Sequence, residues 1–204
     1  MIKISGPNRI LIAKKKKNNL RIFVDIDGVC SNWMKSACHV CEIDEKNKKD
    51  RKILKETGKI ENLISEENLW ERINKQGQKW WANLEILPWA KELYEKLNKE
   101  TKDFAFLSSP SNEPSCVAGK REWLKKHFDT KNFIFTSQKH LCATKNSLLI
   151  DDDEKNCEKF EEYGGKFFLW PREFVLLDKD IDVDDTIEDL MSHIKELKNK
   201  INKF

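Results

Sequence analysis

The fold of this chain is decided by the stretch Arg21-Ile22-Phe23-Val24-Asp25-Ile26-Asp27-Gly28-Val29. Its apolar and β-branched residues predict a buried strand. Because a strand has a two-residue period, Asp25 and Asp27 leave its end on the same side, and Gly28 lets the backbone turn sharply behind them. Two neighbouring carboxylates repel each other unless a cation or a shared proton neutralises them, and their oxygens suit a hard cation such as Mg²⁺. The alternative is an ordinary strand that ends in an Asp-Gly turn.

The composition is that of a charged chain with enough apolar residues for a core. The 204 residues are 39% hydrophobic and 36% charged, which suggests one domain, or one core with a modest insertion. The formal net charge is only +3, so it does not predict nucleic-acid binding. The run Lys14-Lys15-Lys16-Lys17 is interpreted as a solvated face, with nucleic-acid binding as the less favoured alternative. No apolar run suits a signal peptide or a membrane-spanning helix, so we expect a cytoplasmic protein with no membrane partner.

The cysteines do not follow the spacing of a disulfide framework. There are six: Cys30, Cys38, Cys41, Cys116, Cys142 and Cys157. We expect free thiols, as in a reducing cytosol. Cys38 and Cys41 form a CxxC pair, but zinc requires four ligands and no second pair has suitable spacing. The pair also falls within a helical pattern, which favours a structural role.

Further apolar runs predict strands that alternate with helices. The predicted strands are residues 20–26, 103–109, 133–136, 147–152 and 166–170. Helices are expected from Pro88, in its first turn, and over 118–128, 153–163 and 184–203, with a loop after Pro171. This alternation predicts an α/β fold with a Rossmann-like, mostly parallel sheet flanked by helices. Ligand sites in such sheets lie at the carboxyl ends of the strands.

The chain divides into three predicted segments. Residues 1–19 are expected to form a short N-terminal appendage with a small hairpin, and residues 20–29 and 88–204 to form the core. Residues 30–87 are far longer than an ordinary connection between a strand and a helix. They therefore predict a helical cap inserted after the first strand, within which Ser65 is a good N-cap.

Polar side chains recur where the predicted strands end. Ser108 ends the second strand, and its hydroxyl, with nearby backbone N–H groups, can hold a phosphate oxygen. Lys120, placed at the head of the 118–128 helix, can neutralise charge on a phosphate and on a nucleophile. Asp151 and Asp152 end the fourth strand and offer more oxygen ligands to a metal. Each residue alone also has an ordinary explanation, namely a strand terminus, an exposed helix charge or an acidic N-cap.

The run from Asp25 to Val29 resembles the first motif of the haloacid dehalogenase-like phosphatases, and Ser108, Lys120 and Asp151-Asp152 follow in the order of that superfamily's other motifs. The resemblance implies that Asp25 is the phosphoryl-accepting nucleophile and Asp27 the general acid and base. It implies Mg²⁺ held by the Asp25 carboxylate, the Asp27 backbone carbonyl and the Asp152 carboxylate, with Asp151 as an indirect or alternate ligand. Ser108 and Lys120 would fix and neutralise the phosphoryl oxygens.

A narrower resemblance, over most of residues 20–175, is to the 5′(3′)-deoxyribonucleotidases. It is carried by Leu107-Ser108-Ser109-Pro110, by the lysine-bearing segment 119–128, by 148–152, and by 80–88, where a paired aromatic precedes Leu-Glu-x-x-Pro. Ser108 stands where that family usually has Thr, and Asp153 where it often has Arg. The resemblance implies a Mg²⁺-dependent hydrolase, a 5′-nucleotidase acting on nucleoside monophosphates.

The remaining expectations concern the substrate. The candidate substrate-binding residues are Ser109, Lys139, Trp33, Trp80 and Trp81; the tryptophans are included because a flat apolar ring near the phosphate could stack on a nucleobase. The alternative for the tryptophans is packing between helices of the cap. A phosphatase of another small metabolite, a polynucleotide end phosphatase and a non-catalytic binding module stay open as other functions. The long cap favours a closed pocket and a small substrate.

Overall fold

A five-stranded parallel sheet forms the centre of the protein in this computed structural model, which describes residues 19–202. Its strands are β1 (Arg21–Val24), β2 (Phe104–Ser108), β3 (Phe133–Phe135), β4 (Ser147–Asp151) and β5 (Lys166–Leu169). The strand order is β3-β2-β1-β4-β5, so β1 lies in the middle. The predicted fold class is confirmed, and all five strands fall where the sequence placed them.

The register of the central strands brings their carboxyl ends level. Val24 in β1 is paired with Phe106 in β2 on one side and with Ile150 in β4 on the other. The backbone N–H of Asp25 donates to the carbonyl of Ile150 at 2.9 Å. Because Asp25 and Asp151 each follow one of these paired residues, the pairing alone sets the two carboxylates side by side.

Four of the helices flank the sheet: α5 (Ala90–Glu100), α6 (Pro114–Phe128), α7 (Glu154–Glu162) and α9 (Val183–Asn202). Helix α6 begins four residues earlier than predicted because Pro114, whose missing N–H costs nothing in a first turn, starts it. Lys120 therefore lies in the second turn of α6 and not at its head. The prediction for Pro88 was wrong: it lies in the turn before α5, and Trp89 is the residue that precedes the helix.

The chain between β1 and α5 forms four helices: α1 (Trp33–Val40), α2 (Lys48–Thr57), α3 (Glu66–Gln76) and α4 (Gln78–Ala82). Ser65 is the N-cap of α3, and its hydroxyl accepts from the N–H of Asn68 at 3.3 Å. The chain enters this helical segment near Ser31 and leaves it near Ile86, and we call these two places the crossings. An antiparallel bridge between Ser31 and Ile86 joins them. Two backbone hydrogen bonds hold the crossings, from Asn32 to the carbonyl of Glu85 (2.8 Å) and from Leu87 to the carbonyl of Cys30 (2.9 Å).

A short helix that the sequence did not predict, α8 (Glu173–Leu177), lies between β5 and α9, where we expected a loop. It forms because Phe174 and Leu176 are both buried against the core. Helix α8 also contacts α2: the Arg51 guanidinium donates to Asp178 at 2.7 Å and lies 4.3 Å from the centroid of the Phe174 ring. The helical segment after β1 is thus attached to the sheet domain through charged contacts as well as through its two crossings.

Three further expectations concern the N-terminal residues, the cysteines and membrane-spanning helices. The appendage and hairpin predicted for residues 1–19 lie, apart from Asn19, outside the described residues. All six cysteines are free thiols. Between residues 19 and 202, no helix has the length and apolar character needed to cross a membrane.

Candidate active site

The end of β1 supplies the two aspartates at the centre of the site. Asp25 is only 7% exposed; its Oδ1 accepts from the N–H of Ile26 at 2.8 Å. Asp27 Oδ1 accepts from the Ser31 hydroxyl at 2.9 Å. Gly28 has a φ of +77°, and an added Cβ there would lie 2.2 Å from an Asp152 carboxylate oxygen. A residue with a side chain at position 28 would therefore push the β1 loop away from β4.

Lys120 contacts two other predicted catalytic residues, Asp27 and Ser108. Its side chain is 1% exposed, and its Nζ lies 2.6 Å from Asp27 Oδ2, 2.8 Å from Ser108 Oγ and 2.9 Å from the carbonyl oxygen of Ser109. An ammonium group has three N–H donors, so all three are used. The structure thus brings together Asp27, Ser108 and Lys120 from β1, β2 and α6, as the sequence order suggested.

Lys139, a predicted substrate-binding residue, is buried between two aspartates. It begins the 3₁₀ turn Lys139–Cys142, is 2% exposed, and its Nζ lies 2.9 Å from Asp25 Oδ2 and 2.6 Å from Asp151 Oδ2. Burial alone would lower the pKa of Lys139, but the two carboxylates outweigh it and raise the pKa. Lys139 is therefore a fixed positive charge between the strand ends of β1 and β4, and it also borders the cavity.

Three carboxylates converge at the sheet edge. One oxygen from each of Asp25, Asp151 and Asp152 lies within 4.8 Å of the others. Burial, with the charge of Asp25, raises the pKa of Asp151 to about 6 despite Lys139. Burial and the neighbouring aspartates raise the pKa of Asp152 well above its usual value. When all three carboxylates are ionised, their negative charge exceeds what Lys139 compensates, and an all-oxygen donor set of this kind fits a hard divalent cation such as Mg²⁺.

The two aspartates of β4 have different surroundings. Asp151 is fully buried and accepts from Lys139 and, at 3.0 Å, from the N–H of Asp153. Asp152 borders a cavity over the carboxyl ends of the strands, beside Asp25 and Asp27. Of the two, Asp152 is therefore the carboxylate placed to meet an ion or a substrate in that cavity.

The CxxC pair offers no comparable metal site. Cys38 is buried, and burial raises its pKa to about 12. Burial also raises the pKa of Cys41. Within residues 19–202, the one group of three or more potential ligands close enough to share a metal is that of Asp25, Asp151 and Asp152, so the cysteine pair lacks the further ligands that zinc requires.

A cavity of about 420 Å³ opens over the carboxyl ends of the strands. It is bordered by Asp25, Asp27, Ser108, Ser109 and Asp152 on the sheet side and by Trp33, Trp70 and Trp81 on the side of the helical segment. The rings of Trp33 and Trp70 lie 6.3 Å apart, between centroids, and are tilted by 43°. This combination of an apolar wall and convergent polar groups is typical of small-molecule sites.

Trp80 and Trp81 face different cavities. Trp81 is 2% exposed, and its ring lies 5.3 Å from the Lys120 Nζ. Trp80 borders a second cavity, with Lys35 and His39, away from the catalytic residues. Of the three predicted tryptophans, the structure thus brings Trp33 and Trp81 to the site and leaves Trp80 outside it.

A protein-family model matches most of the chain, including the strand ends that form the site. Residues 18–174 match the model of the family described as 5′ nucleotidase, deoxy (pyrimidine), cytosolic type C protein. The chain belongs to this family. It is therefore a nucleotidase-type phosphoric monoester hydrolase of the haloacid dehalogenase-like superfamily. No curated protein matches its sequence at a significant level.

Two solved structures are similar to this chain, and the first of them supports the fold. A haloacid dehalogenase-like hydrolase from Xanthomonas campestris is similar over 93% of this chain and 96% of that chain, with a TM-score of 0.52 and 11% sequence identity. A hydrolase from Pseudomonas syringae is similar over 87% of this chain and 99% of that chain, with a TM-score of 0.47 and 17% identity.

Two residues of this nucleotidase that sequence reasoning missed, Arg172 and Glu173, border the cavity from the start of α8. Arg172 donates to the carbonyl oxygens of Lys55 (3.0 Å) and Glu56 (2.5 Å) at the end of α2. Glu173 is 4% exposed, and its Oε1 accepts from the N–H of Met34 at 3.0 Å. The available signal was their position directly after the carboxyl end of β5, where ligand sites of parallel sheets lie.

Proposed function

We propose that this nucleotidase hydrolyses nucleoside monophosphates with Mg²⁺, through a phosphoryl group carried transiently on Asp25. The single observation that supports this most is the convergence of Asp25, Asp27, Lys120 and Asp152 beneath one cavity with tryptophan rings on its opposite wall. The polar half of that cavity suits a phosphate ester, and the aromatic half suits a nucleobase.

The metal would be held by the Asp25 and Asp152 carboxylates, with the Asp27 backbone carbonyl as a further expected ligand. Asp151, engaged by Lys139 and the Asp153 N–H, is better placed to support the ligands than to bind the ion. When bound, Mg²⁺ supplies positive charge that offsets the clustered carboxylates and the phosphate.

The chemistry divides into two displacements. In the first, an Asp25 oxygen forms a bond to phosphorus while the ester bond to the leaving oxygen breaks, and Asp27 gives that oxygen a proton. In the second, Asp27 takes a proton from a water molecule, whose oxygen bonds to phosphorus as the bond to Asp25 breaks. Inorganic phosphate and an unmodified Asp25 result.

Ser108 and Lys120 hold the phosphoryl group during both displacements. The Ser108 hydroxyl accepts from the Lys120 ammonium at 2.8 Å, which leaves its O–H free to donate to a phosphoryl oxygen. The three N–H donors of Lys120 are engaged by protein oxygens, so Lys120 acts through its positive charge and by orienting Ser108. Fixed donors of this kind stabilise charge that develops on phosphoryl oxygens without rearranging during the reaction.

The size and walls of the cavity favour a small substrate over a polynucleotide end. The family description, cytosolic type C, supports a location in the cytoplasm. A volume of about 420 Å³ falls in the range of pockets that enclose small ligands. The run Lys14–Lys17, which motivated the nucleic-acid alternative, lies outside the described residues.

Phosphate release from a panel of mononucleotides, sugar phosphates and end-phosphorylated oligonucleotides tests the proposal. We expect hydrolysis of mononucleotides, and Asp25→Asn should abolish it while leaving the fold intact by circular dichroism. Asp25→Asn protein that keeps a tenth of the wild-type rate would exclude the proposed nucleophile. Faster release from oligonucleotide ends than from every mononucleotide would exclude the proposed substrate class.

A matched pair of tryptophan variants tests the proposed stacking on the base. Trp33→Ala should raise KM for a nucleoside monophosphate roughly tenfold, because stacking on one base contributes about 1–3 kcal/mol. Trp80, also half-buried but bordering the other cavity, is the control, and Trp80→Ala should leave that KM unchanged. Equal effects of the two substitutions would argue against stacking on Trp33.

A further inference from the structure

Glu173 uses only one of its two carboxyl oxygens. Oε1 accepts from the N–H of Met34, in the first turn of α1. Within residues 19–202, Oε2 is buried and has no hydrogen-bond partner. A buried polar atom without a partner loses its hydration and gains nothing in return, so such atoms are uncommon in folded proteins. Because Glu173 borders the cavity over the carboxyl ends of the strands, a ligand in that cavity can supply the missing partner.

The nearby cations are already engaged with other groups. The three donors of Lys120 go to Asp27, Ser108 and Ser109, and Lys139 lies between two aspartates. Arg172, adjacent in sequence to Glu173, donates to backbone carbonyls at the end of α2. Glu173 is therefore not one half of an ion pair in the described part of the chain.

The surroundings of Glu173 indicate which kind of ligand group fits. Burial raises the pKa of Glu173 to about 8; the N–H groups of Met34 and Lys35 lower it, and the charges of Asp27 and Glu45 add to the rise. A carboxyl group that is protonated near neutral pH and ionised above it pairs in both states only with a group that both donates and accepts. A hydroxyl group meets that condition, whereas a carbonyl only accepts and a ring N–H only donates.

The position of Glu173 indicates which hydroxyl of the substrate lies close to it. Asp27, whose charge acts on Glu173, is the residue that serves the leaving oxygen in the proposed function. Glu173 also accepts from the N–H of Met34, next to Trp33, the ring that stacks on the base in that proposal. Glu173 therefore lies between the group that serves the leaving oxygen and the ring that holds the base, and the sugar joins these two parts of the substrate. A sugar hydroxyl is thus the nearest hydroxyl that a nucleoside monophosphate offers.

We propose that Glu173 Oε2 hydrogen-bonds a sugar hydroxyl of the leaving nucleoside and so sets a preference for substrates that carry it. The inference rests on the proposed function and adds a specificity residue to it. A buried group that is paired by the correct substrate and left unpaired by an analogue discriminates more strongly than an apolar wall does.

The experiment compares kcat/KM for a ribonucleoside 5′-monophosphate, its 2′-deoxy and 3′-deoxy forms, its 2′,3′-dideoxy form and p-nitrophenyl phosphate. For the wild-type enzyme we expect at least a tenfold preference for one hydroxyl-bearing nucleotide over the dideoxy form. Glu173→Met should reduce that preference to below threefold. Glu173→Gln retains a carbonyl for the Met34 N–H and a polar atom at the cavity, and should keep most of the preference.

A control variant separates recognition from support of α1. The Asn32 side chain accepts from the N–H of Lys35 and caps the same helix, so Asn32→Ala weakens the helix start while keeping the Glu173 carboxyl and the Met34 N–H from which it accepts. It should lower kcat/KM for all five substrates alike and leave the hydroxyl preference intact.

Three results would overturn the inference. A wild-type preference below twofold would do so even if Glu173→Met did not fold. Loss of the preference in Asn32→Ala as well as in Glu173→Met would show that Glu173 only supports α1. Hydrolysis of p-nitrophenyl phosphate without hydrolysis of any nucleotide would overturn the proposed substrate class itself, and with it the role of Glu173.

Discussion

Replacing Lys139 with methionine removes a buried positive charge and keeps most of the side-chain volume. The Lys139 ammonium lies 2.9 Å from Asp25 and 2.6 Å from Asp151, and the residue is 2% exposed. Without it, these carboxylates stay buried with no cation beside them. Breaking a buried ion pair by removing one partner costs about 3–5 kcal/mol, so we expect the free energy of unfolding to fall by about that amount when no Mg²⁺ is present.

The assay is urea unfolding at pH 7 in EDTA, followed by tryptophan fluorescence and circular dichroism. The control is Lys35→Met, which removes an ion pair with Glu85 in which both side chains are about half exposed. An exposed pair contributes less than about 1 kcal/mol. Adding Asp151→Asn to Lys139→Met should recover at least about 1 kcal/mol, because it removes one of the unpaired charges.

Two outcomes would refute this reasoning. The first is a loss for Lys139→Met no larger than that for Lys35→Met. The second is a double variant no more stable than Lys139→Met alone, since the cost would then come from lost packing and not from unpaired charge. Added Mg²⁺ should stabilise Lys139→Met more than it stabilises the wild type, because a divalent cation at the aspartates replaces the missing charge.

Three further predictions concern packing, pH and metal. Gly119→Ala should cost roughly 1–3 kcal/mol in unfolding free energy and lower kcat, because the added Cβ would lie 2.4 Å from Trp81 Cβ and 2.6 Å from the Gln78 carbonyl oxygen, next to Lys120. The folded-state pKa of Glu173, about 8, exceeds the unfolded value of 4.5, so the folded state binds the extra proton between those values. Stability should therefore fall as pH rises from about 5 to 8, by at most about 1.4 kcal/mol per pH unit from this group, and Glu173→Gln should remove that slope in urea titrations. Phosphate release should vanish in EDTA and return with Mg²⁺.

Each of these three predictions has an outcome that would contradict it. For packing, Val117→Ala on the same helix, at a residue 39% exposed, is the control, and a Gly119→Ala cost as small as that of the control would contradict the close contact. An unchanged pH slope in Glu173→Gln would contradict the raised pKa. Full activity in excess chelator would contradict the role given to the aspartate cluster.

The elements that sequence reasoning predicted well are those with a local signal. The five strands are short apolar runs, and Ser65 marks the start of α3 through its capping side chain. Asp25 and Ser108 were found because each lies at a strand end, and Lys120 because it follows in the order of the motifs of the family that the chain resembles. Their convergence then follows from the parallel register of the sheet.

What the sequence could not supply depends on distant contacts. Nothing local distinguishes Lys139 from an exposed lysine, yet three elements bury it between two carboxylates. Trp80 and Trp81 are identical neighbours, and only the packing of α4 on α6 decides which one reaches the site. Helix α8 is five residues long, too short for a periodic pattern, so Glu173 was assigned to a loop.

The bridge between Ser31 and Ile86 has a consequence for how this enzyme can diversify. Because hydrogen bonds hold the two crossings together, everything between them is a loop whose ends are already closed. Doubling the length of such a loop adds only about 0.6 kcal/mol of closure entropy. Helices α1 to α3 can therefore be gained, lost or exchanged with those of another hydrolase at this junction while Asp25 and Asp27 keep their positions. Helix α4 packs on α6 and would be retained, because α6 carries Lys120. The junction is thus a natural point for grafting new substrate selectivity onto an unchanged catalytic core.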